Sequence, residues 1–163
     1  MGRWFTAAPE VVPSRAEGRS VVQLHAAVGE VWSWTLEPGS QLTDPTVVHA
    51  DWLGPNRGVG GIQVIVRREA GGVVVDALEI THLTEPWSAS YRSATVDGLT
   101  CPSGGSVQIT PTGTGTRLVQ TFWAQPLPGA RAAEVAALST RLQMAADKAT
   151  GDLLRRFGGG PAS

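Results

Sequence analysis

The longest periodic pattern in the sequence lies near its C-terminal end. From about Arg131 to Phe157, apolar side chains recur every three or four positions, at Val135, Leu138, Leu142, Ala145, Ala149 and Leu153. This spacing predicts one long amphipathic α-helix, and Gly158 marks its end. The small side chains in the middle of this face indicate either close packing against a sheet or room for a ligand.

Alternating and β-branched runs upstream of this helix predict strands. They are Ser20–Ala26, Gly60–Arg68, Val73–His82, Trp87–Val96, Gly105–Thr110 and Thr116–Ala124. Ala70-Gly71-Gly72 is a turn sequence between the second and third of them, and the last five follow one another at hairpin spacing. This order predicts an antiparallel meander.

Two short helices are predicted between the first two strands. Val28–Leu36 carries a short apolar face, and Pro38-Gly39 ends it. Asp44-Pro45 is typical of a helix start, and the helix would run to about Leu53. With no repeat or internal linker, the chain divides into an N-terminal arm (residues 1–19), one domain (residues 20–157) and a flexible tail (residues 158–163).

The charge balance and the apolar runs exclude several partners. Thirteen Lys and Arg residues against 14 Asp and Glu give a net charge of −1, which does not favour nucleic acid. No apolar run approaches the roughly 20 residues that a membrane helix needs. Met1–Glu10 lacks the apolar core of a signal peptide, so a cytoplasmic location is expected.

The residues that most often hold metals or act as nucleophiles form no recognisable set. The single cysteine, Cys101, excludes an internal disulfide and a cysteine-based zinc site. The histidines His25, His49 and His82 belong to three different predicted elements, at no metal-ligand spacing. We therefore expect no metal and no cofactor.

The order of elements, with four local motifs, resembles the START/Bet v 1-like superfamily (SRPBCC, polyketide cyclase/dehydrase). Leu24–Trp32 resembles its first strand and the helix that follows, and Gly58–Gly61 resembles the glycine-rich entrance to its second strand. Glu79–Tyr91 resembles its step from strand through proline to strand. Gly113–Phe122 resembles its G-x-G-T-x-L turn and last strand. Together these motifs span about Val21 to Phe157.

The resemblance implies an α+β helix-grip fold, in which a curved antiparallel sheet wraps around the C-terminal helix and encloses a deep cavity. It also implies a hydrophobic ligand, of aromatic or polyketide type, in that cavity. Two functions are compatible with it: a cyclase or dehydratase that uses enolate acid/base chemistry, and a non-catalytic carrier of a lipid or hydrophobic metabolite. A shared fold does not decide between them.

The strand Val73–His82 offers one carboxylate to the cavity on either of its faces. One face carries Glu79, and the other carries Asp76 between apolar residues. Apolarity favours the second face as the inner one, whereas hairpin pairing and the resemblance to aromatase/cyclases favour the first. Either carboxylate is a candidate general acid or base, since burial would raise its pKa.

Further site residues are expected on the neighbouring strands and helices. The resemblance to aromatase/cyclases places Gln120 and Arg92 at the positions of a pocket glutamine and a pocket arginine, although a further arginine of that branch is missing near Thr81. Arg92 joins Glu79 and Asp76 as a predicted catalytic residue. The predicted ligand-binding residues are Gln120, Trp52, Phe122, Leu118, Trp87, Tyr91, Leu142 and Ala145.

Overall fold

A computed structural model describes residues 15–95 and 102–162. In chain order its elements are β1 (Ala16–Leu24), α1 (Val28–Leu36), a 3₁₀ helix (Pro38–Thr43), β2 (Val47–Leu53), β3 (Ile62–Glu69), β4 (Gly72–Thr84), β5 (Ser88–Thr95), β6 (Ser103–Thr112), β7 (Gly115–Ala124), α2 (Ala132–Phe157) and β8 (Gly159–Pro161). Val96, at the end of a predicted strand, and Cys101 lie outside the described residues.

These strands form one antiparallel sheet in the order β2-β3-β4-β5-β6-β7-β1-β8. Helix α2 crosses the sheet over β1 and β7. Between the helices and the sheet lies a core in which Val22, Leu24, Val31, Leu118 and Leu153 are almost fully buried. The predicted α+β helix-grip architecture is confirmed.

Contacts between β1 and α2 hold the long helix against the sheet. A Cβ atom at Gly18 would overlap the backbone of Leu142 and Gln143, so glycine lets the helix approach the strand closely. The Gln143 side chain accepts a hydrogen bond from Arg19 N at 3.0 Å and donates one to Arg19 O at 2.9 Å. β1 begins at Ala16, so the last residues of the predicted arm belong to the sheet.

The helix predicted from Asp44 to Leu53 is wrong, because this segment forms a turn and then β2. Asp44 Oδ1 accepts hydrogen bonds from N and Oγ1 of Thr46, at 2.9 and 2.7 Å. These bonds satisfy Asp44 much as a helix cap would, but the β-branched residues that follow continue into a strand paired with β3. The helical segment lies earlier, as the 3₁₀ helix.

The chain's C-terminal residues are more ordered than predicted. Gly158 ends α2 with a φ of 67°, as expected for a helix stop, and its N–H donates to Leu154 O at 2.9 Å. Gly159–Pro161, part of the predicted flexible tail, instead forms β8 and pairs with β1 near Val22. The short strand lengthens the sheet beyond β1.

Candidate functional site

A cavity of about 440 Å³ lies between the sheet and the helices. Its apolar wall consists of Trp34, Leu36, Leu78, Ile80, Val107, Phe122, Ala145, Ala149 and Leu153. Gln63 fixes part of this wall, because its Nε2 donates to Leu36 O at 2.7 Å and so joins the end of α1 to β3. The cavity is therefore framed by both helices and most of the sheet, and polar and charged side chains complete its lining.

The strand register decides which face of β4 points inward. Leu78 and Ile80 line the cavity, so the face that carries Asp76 is the inner one. The predicted hairpin pairing is correct, since Val64 lies opposite Ala77 and Val66 opposite Val75. Those residues, however, belong to the outer face of the sheet.

Glu79 and Arg92 do not lie in the cavity, so their predicted placement is wrong. Glu79 stands between Leu78 and Ile80 on β4 and therefore faces outward. Arg92 lies directly opposite on β5, and its Nε donates to Glu79 Oε2 at 2.7 Å. This outer ion pair therefore places two of the three predicted catalytic residues outside the cavity.

Asp76, the third predicted catalytic residue, is on the inner face but is paired. Its Oδ2 lies 2.5 Å from Nη1 of Arg67, and neither side chain is more than about one third exposed. Arg67 lines the cavity and was not predicted. The sequence did contain a signal for this placement. Arg67 lies two and four residues after Ile65 and Gln63 on β3, so the three share one face, and Arg68 must face the other way.

The predicted ligand-binding residues divide into two groups. Those that line the cavity are Tyr91, Gln120, Phe122 and Ala145. Leu118, Leu142, Trp52 and Trp87 are not among the described lining residues.

Each member of the second group has another environment. Leu118 is 0% exposed within the core, and Trp87 is 45% exposed in the turn before β5. Leu142 lies on α2 where the helix backbone meets Gly18. Trp52 lies on β2 rather than on a helix at the mouth of the cavity, with the Arg57 guanidinium 5.0 Å from its ring.

Two buried polar groups distinguish the interior of the cavity. Gln120 Oε1 is buried without a hydrogen-bond partner within the described residues. Burial strongly raises the pKa of the Tyr91 phenol, and the charge of Arg67 opposes that rise only in part. Buried polar atoms are normally hydrogen-bonded, so Gln120 presents an open position for a water or a ligand atom.

An ion pair forms part of the wall of the cavity. Lys148 on α2 donates to Asp44, which follows the 3₁₀ helix, and both residues line the cavity. The Lys148 side chain is 58% exposed, whereas that of Asp44 is 16% exposed. The pair joins two segments that are distant in sequence, so no local pattern could predict it.

The pKa of Asp44 is lowered to about 2, chiefly by the hydrogen bond from Lys148 and further by Thr46. A carboxylate with a lowered pKa stabilises the folded state above its ordinary value of 3.8, and this contribution disappears as pH falls through about 2. We expect Asp44→Asn to cost about 1 kcal/mol at neutral pH, as for a partly exposed pair.

Urea unfolding of both proteins between pH 2 and pH 7 checks this prediction. The difference between wild type and Asp44→Asn should be constant above pH 4 and shrink as pH approaches about 2. Lys148→Met should reduce the same pH dependence, because it removes the main cause of the lowered pKa. A difference that does not change with pH would contradict the assignment.

Other common kinds of site are not found among residues 15–95 and 102–162. No group of three or more His, Cys, Asp or Glu residues there is placed to hold a metal ion. No helix in these ranges is long and apolar enough to cross a membrane. Of the histidines, His82 is exposed and lies 3.1 Å from Thr84 Oγ1 through its Nε2. The cavity is thus the candidate site that the geometry favours.

The sheet, the long helix and the cavity between them define a helix-grip fold, the fold of START/Bet v 1-like proteins. The chain matches no protein-family model and no curated protein sequence. Solved structures with the same fold do match, which agrees with the resemblance seen in the sequence.

Three of these structures illustrate the similarity. The di-domain ARO/CYC StfQ from the steffimycin biosynthetic pathway matches with a TM-score of 0.70 and 14% identity, over 88% of this chain and 50% of its own. The di-domain ARO/CYC BexL from the BE-7585A biosynthetic pathway matches with a TM-score of 0.71 and 16% identity, over 91% of this chain and 52% of its own. Ara h 8.0201 matches with a TM-score of 0.63 and 13% identity, over 86% of this chain and 99% of its own. The chain thus spans about half the length of the two di-domain proteins, and identities this low establish the fold alone.

Proposed function

We propose that this protein binds an apolar, ring-bearing small molecule in its cavity. The observation that carries the proposal is the unpartnered Gln120 Oε1 in a cavity of about 440 Å³ that has apolar and aromatic side chains along part of its wall. Small-molecule sites combine these features: a concave apolar wall and a few polar groups that orient the ligand. The aromatic side chains of Trp34, Tyr91 and Phe122 in the lining favour a ligand with aromatic rings.

The charged residues around the cavity are largely neutralised by one another. Of the five charged residues that the structure describes in the cavity lining, Arg67 pairs with Asp76, Lys148 pairs with Asp44 and Asp152 pairs with Arg155, and Glu69 is the fifth. A ligand therefore gains little from a full charge of its own, while Gln120 and Tyr91 offer hydrogen bonds to a hydroxyl or carbonyl group. These features support a mainly apolar ligand with one or a few uncharged polar substituents.

Catalysis is a second candidate, namely cyclisation or dehydration of a polyketide-type substrate. It is supported by the similarity to ARO/CYC domains and by Tyr91, whose buried phenol remains protonated near neutral pH. Such a phenol can donate a proton or hydrogen bond to a carbonyl oxygen as an enolate develops. In this version the acid role belongs to Tyr91 rather than to Glu79 or Asp76.

A turnover assay separates the two candidates. A poly-β-ketone thioester is incubated with wild type or with Tyr91→Phe, and the ring closure or loss of water is followed by mass spectrometry. Catalysis requires that wild type exceed the rate without protein and that Tyr91→Phe lose this excess. Binding without any rate difference assigns the protein to the non-catalytic class.

Gln120→Leu tests the binding proposal directly. Removing the amide while nearly conserving volume should weaken binding of 2-naphthol by about 1–3 kcal/mol, since the ligand hydroxyl loses its partner. Binding of naphthalene, which has no hydroxyl, should be unchanged or improved. Fluorescence titration gives both dissociation constants, and thermal unfolding should show little change in stability.

A matched control is Gln108→Leu, because Gln108 is an exposed glutamine on β6. It should leave both dissociation constants unaltered. If wild type binds neither compound, the binding proposal fails. If Gln120→Leu lowers stability sharply and binding per folded molecule is unchanged, Gln120 is a packing residue instead.

A further inference from the structure

Adjacent glycines on β6, Gly104 and Gly105, lie where aromatic rings cross the sheet. A Cβ atom at Gly105 would fall 2.6 Å from Cζ of Tyr91 and still closer to its phenolic oxygen. The Tyr91 ring therefore rests directly on the backbone of Gly105. Because Gly105 pairs with Tyr91 in β5 and with Phe122 in β7, the phenol extends across β6 toward β7.

Gly104 has the corresponding role on the opposite face. A Cβ atom there would overlap the backbone oxygen of Tyr91 and lie 2.9 Å from Cζ2 of Trp123, its partner on β7. Successive residues of a strand face opposite sides, so Gly105 accommodates Tyr91 on the cavity side and Gly104 accommodates Trp123 on the outer side. Neither glycine has a positive φ, so the fold uses the missing side chain rather than backbone freedom.

The position of the Tyr91 ring determines how much of the cavity a ligand can use. While the ring lies against β6, the space above it stays open, and its phenol reaches toward the strand that carries Gln120. A side chain at position 105 would force the ring away from β6. The cavity is the open space on that face, so the ring would move into the volume available to the ligand.

We infer that Gly105 sets the size limit of the ligand. By letting Tyr91 lie against β6, it keeps room for a planar molecule of two or more fused rings whose polar edge faces Tyr91 and Gln120. This inference rests on the proposed function and specifies its ligand class. Gly105 is then a specificity-determining residue that acts through Tyr91.

The test measures dissociation constants for phenol, 2-naphthol and 2-hydroxyanthracene, which carry the same hydroxyl on one, two and three rings. Wild type should bind more tightly as the ring system grows, because more apolar surface is buried. Gly105→Ala should raise the dissociation constant for 2-hydroxyanthracene at least about tenfold, which is the usual effect of overpacking a site. It should weaken binding of phenol much less, so that the preference for larger rings is lost.

Second variants keep the result interpretable if Gly105→Ala folds poorly. Gly105→Ala combined with Tyr91→Ala should bind 2-hydroxyanthracene as tightly as Tyr91→Ala alone and more tightly than Gly105→Ala, since the side chain that the alanine displaces is absent. Tyr91→Ala alone retains both glycines and is the reference for the double variant, because both lack the phenol.

The outcomes separate the inference from the function on which it rests. If wild type binds none of the three compounds, the proposed function fails. If wild type shows the size preference and Gly105→Ala keeps it, the inference alone is overturned. It is also overturned if the double variant stays as defective as Gly105→Ala, because the alanine would then strain Thr121 O, 2.8 Å from the same Cβ position, rather than Tyr91.

Discussion

Gly18→Ala is expected to lower the free energy of unfolding by about 3 kcal/mol or more, which is large for a single added methyl group. The added Cβ would overlap the backbone of Leu142 and Gln143 in α2. Backbone atoms cannot rotate away as a flexible side chain can, so strand and helix must separate. That separation would also stretch the two hydrogen bonds between the Gln143 side chain and Arg19.

Urea unfolding followed by circular dichroism measures this loss. Gly29→Ala is the matched control, because Gly29 is an exposed position in α1 where a Cβ atom meets nothing within 4 Å. In a helix that substitution is neutral or stabilises by up to about 1 kcal/mol. Equal stability of Gly18→Ala and wild type would contradict the close contact between β1 and α2.

The order of secondary-structure elements was largely predictable because each strong pattern matches a strong tertiary contact. The apolar spacing from Val135 to Leu153 gives the two ends of the buried face of α2, although Ala146 rather than Ala145 is buried between them. The β3–β4 turn at Gly71 agrees with the observed pairing. The prediction of a helix after Asp44 was wrong because an aspartate followed by proline is as compatible with a turn as with a helix start. Pairing of Val47–Leu53 with β3, a long-range contact, decided the outcome.

The candidate site was predictable only where one face of a strand is clearly apolar. Leu118, Gln120 and Phe122 were assigned to one face of β7, yet α2 and the core cover Leu118 while Gln120 and Phe122 open onto the cavity. On β4 both faces are rich in apolar residues, so alternation could not choose between Asp76 and Glu79. The ion pair between Glu79 and Arg92 depends on the register of β4 against β5, which the sequence alone left open.

Leu118→Ala is expected to cost about 2–5 kcal/mol of unfolding free energy, as for other fully buried leucines. Leu118 is 0% exposed and belongs to the same core cluster as Val22, Leu24 and Leu153. The alanine leaves a cavity among residues that both helices and the sheet hold in place. Because Leu118 does not line the ligand cavity, the dissociation constant for 2-naphthol per folded molecule should not change.

Leu118 and Gln120 should therefore give opposite results although they lie on the same face of β7. Leu118→Ala should lower stability and leave binding intact, whereas Gln120→Leu should weaken binding of 2-naphthol and leave stability nearly intact. Both variants are measured by urea unfolding and by fluorescence titration in the same buffer. If Leu118→Ala instead changes the dissociation constant with little loss of stability, the ligand reaches deeper under α2 than the described cavity, and Leu118 is a binding residue.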